Sequence, residues 1–464
     1  MKCDIIKGII DEDEERIMAT DFSGNTVSKN IISQALPLIL AQIVQILYNV
    51  VDRVYIGHLP GSDGLALTGI GLSFPVTTLI MAFTQLVGAG GTPLFSIARG
   101  AGEEDQAEKI MENAFSMLVR CAVILFVFCY LLRRPVLFLF GASEASYVYA
   151  DAYLRIYLLG TIFSMISAGM NGFINAQGFP GTGMGTTVIG AVLNLILDPV
   201  FIFVFHMGVS GAALATVISQ MISALWVMRF LTGPKAILHI RREYFRIDWK
   251  LVGQIASLGL SGFIMQSTNC LVSIMCNTTL RDFGGDLYVG VMTVINSIRE
   301  VLTLPVYGFT SGSQPVLGYD YGAGRLGRVR EGIRFVTVIG IGYTILAWIA
   351  VIISPGFLLS IFTNSEEMLG AGENALKLYF MGFCFMAFQF CGQSTFVALG
   401  RSKQAVFFSL LRKAVIVVPL TLLLPRLGLG VDGVFLAEPI SNVIGGSACF
   451  ITMYLQVYRK LSLS

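Results

Sequence analysis

Gly208-Val-Ser-Gly211-Ala-Ala-Leu214-Ala-Thr216 returns 222 residues further along as Gly430-Val-Asp-Gly433-Val-Phe-Leu436-Ala-Glu438. The same offset joins Pro93 and Gly100-Ala-Gly102 to Pro315 and Gly322-Ala-Gly324, and Phe140, Ser143 and Glu144 to Phe362, Ser365 and Glu366. It joins Leu154, Tyr157, Gly160 and Phe163 to Leu376, Tyr379, Gly382 and Phe385, and Ala176 and Gly178 to Ala398 and Gly400. One offset that holds without a gap over most of the chain marks a duplicated scaffold.

The scaffold is apolar. Of 464 residues, 55% are hydrophobic and only 13% charged, against roughly 25% charged in a soluble globular chain. Twelve stretches are each long enough to cross a hydrocarbon core about 30 Å thick. They lie near Ile31–Ile56, Leu65–Leu86, Asn113–Leu132, Leu154–Ile174, Met184–Phe205, Val209–Phe230, Val252–Thr278, Tyr288–Thr310, Phe335–Ile353, Leu376–Ala398, Val406–Leu424 and Val431–Tyr454. Runs of this length in lipid are helical, because a helix satisfies its own backbone. The expected fold class is an all-α polytopic membrane protein, with twelve transmembrane helices in two six-helix bundles. Six is an even number, so the two bundles share one orientation and are related by a pseudo-two-fold axis along the membrane normal.

Basic residues set the expected orientation. With the N-terminus inside, the inner connections hold Arg99, Lys109, Lys235, Arg241, Arg242, Arg246, Lys250, Arg325, Arg328, Arg330, Arg334, Arg401, Lys403, Arg459 and Lys460. The outer side holds only Arg133, Arg134, Arg155, Arg281, Lys377 and Arg426. This bias places both termini in the cytosol. Residues 1–28, with the acidic run Asp11 to Glu15, read as a cytosolic tail, since no apolar core or cleavage site makes them a signal peptide. Residues 29–230 form the N-terminal lobe, 231–250 a basic cytosolic linker and hinge, and 251–464 the C-terminal lobe. The net charge of +2 conceals this sorting and gives no reason to expect a nucleic-acid partner. All cysteines except Cys3 sit in apolar segments without metal-ligand spacing, so they read as packing residues.

Two similar bundles rocking about a site between them are the architecture of a transporter. A polytopic enzyme or receptor is the rival class. No HExxH, Walker loop or convincing GxSxG supports it, and the three histidines (His58, His206, His239) fall near helix ends. Neither a cofactor nor a metal is expected, and with no ATP-binding domain the energy must come from an ion gradient.

Charged groups inside the spans are the place to look for coupling. They are Asp52 with Arg53, Arg120, Asp198, Arg299-Glu300 and Glu438, with Arg412-Lys413 nearer a helix end. Asp198 is the most telling, because no cation is adjacent to it. A carboxylate at that depth is costly unless paired, hydrated or protonated. Asn194 stands four residues before it, on the same helix face. Asp52 reads either as a partner carboxylate or as a residue paired with Arg53 near an interface. Two carboxyl groups brought together titrate as one coupled unit. Arg299-Glu300 reads as a buried tether or as a substrate or gating pair, and Glu438 as a group able to attract a cation.

Ala35-Leu-Pro37, Asp52, Gly57, Val87-Gly-Ala-Gly90, Asn194-Leu-Ile-Leu-Asp198-Pro199 and Gly211-Ala-Ala-Leu-Ala-Thr216 together resemble the multidrug and toxic compound extrusion (MATE) family, in its DinF-like branch. The resemblance covers about residues 29–458. It implies a cell-membrane antiporter that exports amphipathic, often cationic compounds, with protons, or in some members sodium, as the coupling ion. It implies that Asp52 and Asp198 carry that ion, supported by Tyr153, Asn194 and Thr216, and that the first helix bends at Pro37. Gln45, Tyr48 and Asn171 match substrate-facing positions. Met165, Met265, Asn269, Met275, Met292, Asn296, Glu300, Gln389 and Gln393 are further expected lining, because flexible methionines and neutral amides suit varied ligands. A monomer in the lipid bilayer is expected. Within transport, the rival is a lipid-linked oligosaccharide flippase, which would need a strongly basic cavity. Arg53 departs from the family pattern, and the second half lacks the acids: Ile274 and Leu420 stand at the positions equivalent to Asp52 and Asp198.

Overall fold

The computed structural model describes residues 20–57, 65–140, 142–241, 247–362 and 365–462, and among them there are helices and no strands. The acidic run at residues 11–15, His58, Arg242, Arg246 and the side chain of Arg53 lie outside the described residues. Seven helices lead the chain: α1 Val27–Gly57, α2 Leu65–Gly100, α3 Glu104–Leu139, α4 Glu144–Leu159, α5 Thr161–Ala176, α6 Pro180–Pro199 and α7 Val209–Leu231. There follow α8 Trp249–Gly285, α9 Leu287–Gly322, α10 Leu326–Ile353, α11 Glu366–Phe380, α12 Phe383–Ala398 and a long helical run, Ser402–Tyr458.

Nine runs are long and apolar enough to cross a membrane, and the bent pairs α4–α5 (57°) and α11–α12 (45°) add one crossing each. Ser402–Tyr458 has 57 residues, about 85 Å if straight at 1.5 Å per residue, far beyond one bilayer. It breaks at Gly428 (φ 98°) and Gly430 (φ 51°), so it makes two crossings. The described residues thus hold the twelve crossings expected.

The duplication is visible in the backbone. Positive φ occurs at Gly102, Gly178 and Gly208 (78°, 94° and 55°) and at Gly324, Gly400 and Gly430 (70°, 68° and 51°), each pair 222 residues apart. Gly208 and Gly430 also share ψ (−131° and −134°). Ser143 caps α4 by accepting from Ser146 N, and Ser365 caps α11 by accepting from Met368 N. Turn, cap and bend all repeat, so the repeat is one of conformation as well as residue identity.

The chain divides into two compact units. In the first, the described residues up to Ile80 join Leu94–Val252. Here α6 packs on α1 and α7, α5 on α3 and α7, and α4 on α7. The described part of segment 231–250 is tied to this unit. Gln177 Oε1 accepts from Ile237 N and Leu238 N, and Glu108 Oε1 from His239 N. Glu112 accepts from Arg241 N and Asn113 Oδ1 from Asp248 N, while Arg241 Nε pairs with Glu108 Oε2 at 3.1 Å. At the far end of α3, Asp151 holds Arg133 (2.8 Å) and Arg155 (2.6 Å), which neutralises it twice over.

The second unit joins Met81–Pro93 of α2 to Gly253–Ser464. Its core runs from Leu280, Ile295 and Ile298 through Phe380 and Phe383 to Phe435. A second cluster surrounds Phe396, Phe408 and Cys449. Within this unit α2 and α8 meet backbone to backbone, which explains the Val87-Gly-Ala-Gly90 motif. A Cβ on Gly90 would stand 2.0 Å from Ile255 O, and one on Gly259 1.7 Å from Leu86 O. Only glycine allows carbonyls so close. Gly259→Val is expected to lower stability by about 1–3 kcal/mol, the usual cost of overpacking, whereas Gly253→Ala, with nothing near its Cβ, leaves it unchanged or raised. Thermal unfolding of the two purified variants checks this.

Candidate functional site

Four helices of the first unit each present one face to a shared polar cluster. On α1, Gln45, Tyr48 and Asp52 follow the i, i+3, i+7 spacing that keeps side chains on one stripe. On α6, Asn194 and Asp198 are one turn apart, as are Tyr153 and Tyr157 on α4; α7 contributes Thr216. The close packing of α1 and α7 on α6 is therefore what carries Asp52 and Thr216 towards Asp198.

Asp198 is 1% exposed and Asn194 3%, so the carboxyl group is inside the protein. Asn194 Nδ2 donates to Asp198 Oδ1 at 3.3 Å and to Thr216 Oγ1 at 3.4 Å. Thr216 in turn donates to Ala212 O at 3.0 Å. Asp52 and Asp198 act on one another as charges and through a side-chain hydrogen-bond contact. Tyr48 and Tyr153 both sense the two carboxyl groups. Gln45 Nε2 donates to Tyr48 Oη at 3.0 Å, and Tyr153 stacks on Tyr157 with centroids 5.7 Å apart. Two carboxyl groups, three phenols (Tyr48, Tyr153 and Tyr157) and two amides (Gln45 and Asn194) make a set that can hold a proton between acids. Pro199 follows Asp198 directly, so the amide that would have bonded Leu195 O is missing. The helix then continues through a π-wound turn, Val200–Val204, which lets the wall behind Asp198 deviate from regular winding. Pro37 lies inside the continuous helix α1, again with no amide hydrogen to give.

The remaining expected lining residues are dispersed. In the first unit Asn171 Nδ2 donates to Gly183 O at 3.1 Å, joining α5 to α6, and Met165 is 0% exposed. Met165 therefore offers no surface to a solute in this conformation. In the second unit Met265 and Asn296 are half-buried. Gln393 accepts from Gln389 at 2.8 Å and donates to Ala405 O at 3.2 Å and to Ser409, so its amide is already engaged.

Three readings of the charged residues are corrected. Arg299 and Glu300 are no buried tether: Glu300 is exposed, and the described residues hold no ion pair between them. Arg412 and Lys413 lie inside the helical run Ser402–Tyr458 rather than near its end, 7% and 5% exposed. Glu438 is not open to a cationic solute, because Arg412 donates to its Oε1 and Lys413 Nζ to both oxygens at 3.0 and 3.2 Å. Tyr157 and Tyr379 were not expected at either cluster, although their place in the repeat was the available signal. No group of three or more His, Cys, Asp or Glu able to hold a metal occurs among the described residues.

Twelve crossings in two repeated halves, with titratable groups enclosed by the first, define a multi-pass membrane transporter rather than an enzyme. The MatE family model matches residues 37–200 and again 258–423, and the chain belongs to that family. It is 22% identical over 436 residues to the multidrug export protein MepA of Staphylococcus saprophyticus, covering 94% of this chain and 95% of that one. It is 23% identical over 437 residues to MepA of Staphylococcus aureus strain MSSA476, with the same coverage. Among solved structures it resembles an outward-facing multidrug resistance MATE family transporter (TM-score 0.89, 21% identity, 96% of this chain and 99% of that chain). It also resembles a MATE in a bent conformation (TM-score 0.89, 21% identity, 96% and 100%). These likenesses establish the shared fold.

Asn194→Ala removes the amide that joins Asp198 to Thr216 and leaves a buried carboxyl group without that donor. A loss of about 1–3 kcal/mol in stability is expected, together with reduced transport; Thr216→Ser, which keeps the hydroxyl, is expected to change neither. Thermal unfolding and transport assays on the two variants check this.

Proposed function

We propose that this transporter exports amphipathic, often cationic compounds across the cell membrane in exchange for protons, and that Asp52 and Asp198 carry the proton. The observation that carries the reading is buried Asp198 of α6 paired with half-buried Asp52 of α1, both within electrostatic reach of Tyr48 and Tyr153. A buried carboxylate without a cation partner is stable chiefly when protonated, so each arrival or departure of a proton changes the charge of the site by one. An incoming cation and a proton then compete for the same pair, and that competition is the chemical basis of exchange. Pro37 in α1 is the place where the change in charge would be turned into a change of helix shape. The names of the MepA relatives support export of drugs, and Gln45 and Tyr48, on the same stripe of α1 as Asp52, are the substrate-facing groups nearest the acid in sequence.

The choice of proton over sodium rests on Asn194. Its Nδ2, a donor, is turned to both Asp198 and Thr216, whereas a sodium ion between them would need oxygens there. In proteoliposomes, a pH gradient is expected to drive accumulation of an ethidium-like dye by the wild type and not by Asp198→Asn, with replacement of sodium by choline making no difference. Transport by Asp198→Asn at the wild-type rate, or dye movement that follows sodium alone, would contradict the reading.

A further inference from the structure

The second unit contains a cluster that the first leads one to look for. Arg412 and Lys413 converge on Glu438, all of them at most 7% exposed. Arg299 of α9, half-buried, also acts on Glu438, and on Tyr379 of α11 together with Arg412. Cys276 of α8 hydrogen-bonds Thr421 and senses the same charges. Three cations thus bear on Glu438, and exposed Glu300 acts on Arg299 as well, which leaves a formal excess of one positive charge (three minus two). Glu438 cannot satisfy them all. The Nε atoms of Arg299 and Arg412 are both buried with no hydrogen-bond partner among the described residues.

This cluster shares two positions with the polar cluster of the first repeat. Tyr379 is the equivalent of Tyr157 and Glu438 of Thr216, each 222 residues on. Arg412 and Lys413 stand where the first repeat has Gly190 and Ala191, and Leu420 where it has Asp198. The surroundings of those shared positions are therefore acidic in one unit and basic in the other. Buried charge left uncompensated is strongly unfavourable, and an orphaned guanidinium N–H is costly in the same way. An acceptor anion would remove both penalties at once.

We propose that Arg299, Arg412 and Lys413 form a binding site for a small monovalent anion, a carboxylate or a halide, with Glu438 setting its affinity from within. Guanidinium groups suit this ligand, because their planar donors match a carboxylate and are less strongly hydrated than an ammonium group. Two buried donors without acceptors, on residues that act on the same Glu438, suit one compact acceptor. The anion has two sources, a free inorganic ion or the carboxylate of a transported amphipathic compound, and the site reads their shared chemistry.

The test uses the purified full-length protein in detergent, at constant ionic strength, with the bulky sulfonate camphorsulfonate as the background anion. Thermal unfolding is followed while chloride or benzoate replaces camphorsulfonate. The wild type is expected to show a saturable rise in Tm with at least one of them. Chloride alone points to a free inorganic ion, benzoate alone to a substrate carboxylate, and both to a site selective for charge and size. Arg299→Gln is expected to weaken half-saturation at least tenfold. Glu438→Gln, which removes the internal competitor, is expected to tighten it; if that variant does not fold, Arg299→Gln decides. Asp198→Asn is expected to keep the anion response, so failure of the proton reading leaves this one standing. No saturable difference from camphorsulfonate in the wild type, or a wild-type response in Arg299→Gln, would overturn the proposal.

Discussion

A carboxyl group enclosed by protein within a helix apolar enough to cross a membrane is the constraint around which the first unit is arranged. Asp198 is 1% exposed, so its charge is largely cut off from bulk solvent. Such a group is tolerated when something offsets the lost hydration. Here Asn194 donates to Asp198 and ties it to Thr216, while Asp52 and Tyr153 lie near enough to act on the same carboxyl group. Each of these partners comes from a different helix, apart from Asn194. The packing of α1 and α7 on α6, and of α4 on α7, is thus also the means by which the group is kept enclosed.

Duplication gave the chain two copies of one scaffold, and the two copies have diverged in charge rather than in shape. The glycines at the turns, the serine caps and the central bends are retained at the same offset. Conserving those features holds the backbone, because positive φ and capping geometry tolerate few residue types. The enclosed polar positions are free of that restriction. One unit places Asp198 and Thr216 where the other places Leu420 and Glu438, and Gly190-Ala191 where the other places Arg412-Lys413. Divergence of this kind lets one symmetric frame perform two different electrostatic tasks.

The frame was legible in the sequence because its signals are long or conformationally strict. Twelve apolar runs and an ungapped repeat need no knowledge of packing, and Gly208 and Gly430 mark turns that only a few residues accept. Asn194 and Asp198 were legible for the same reason, since four residues on a helix is one turn. Contacts between helices were not. Arg412 and Lys413, six and seven residues into an apolar run that begins at Val406, look interfacial along the chain. Only the arrival of Glu438 from another segment shows that they are buried partners. Arg299 was misread in a complementary way. Its sequence neighbour Glu300 points outward, and the carboxylate it serves lies well over a hundred positions away, at Glu438. Met165 failed because burial depends on helix phase within the bundle, which composition does not carry.

The central claim is that a proton and a cationic solute compete for the carboxyl pair of α1 and α6. It is tested most directly by measuring proton release when a saturating cationic dye is added to the purified protein in weakly buffered detergent solution. The account predicts that the wild type releases protons as the dye binds, and that Asp198→Asn binds without releasing them. Dye binding to the wild type with no proton release would contradict it.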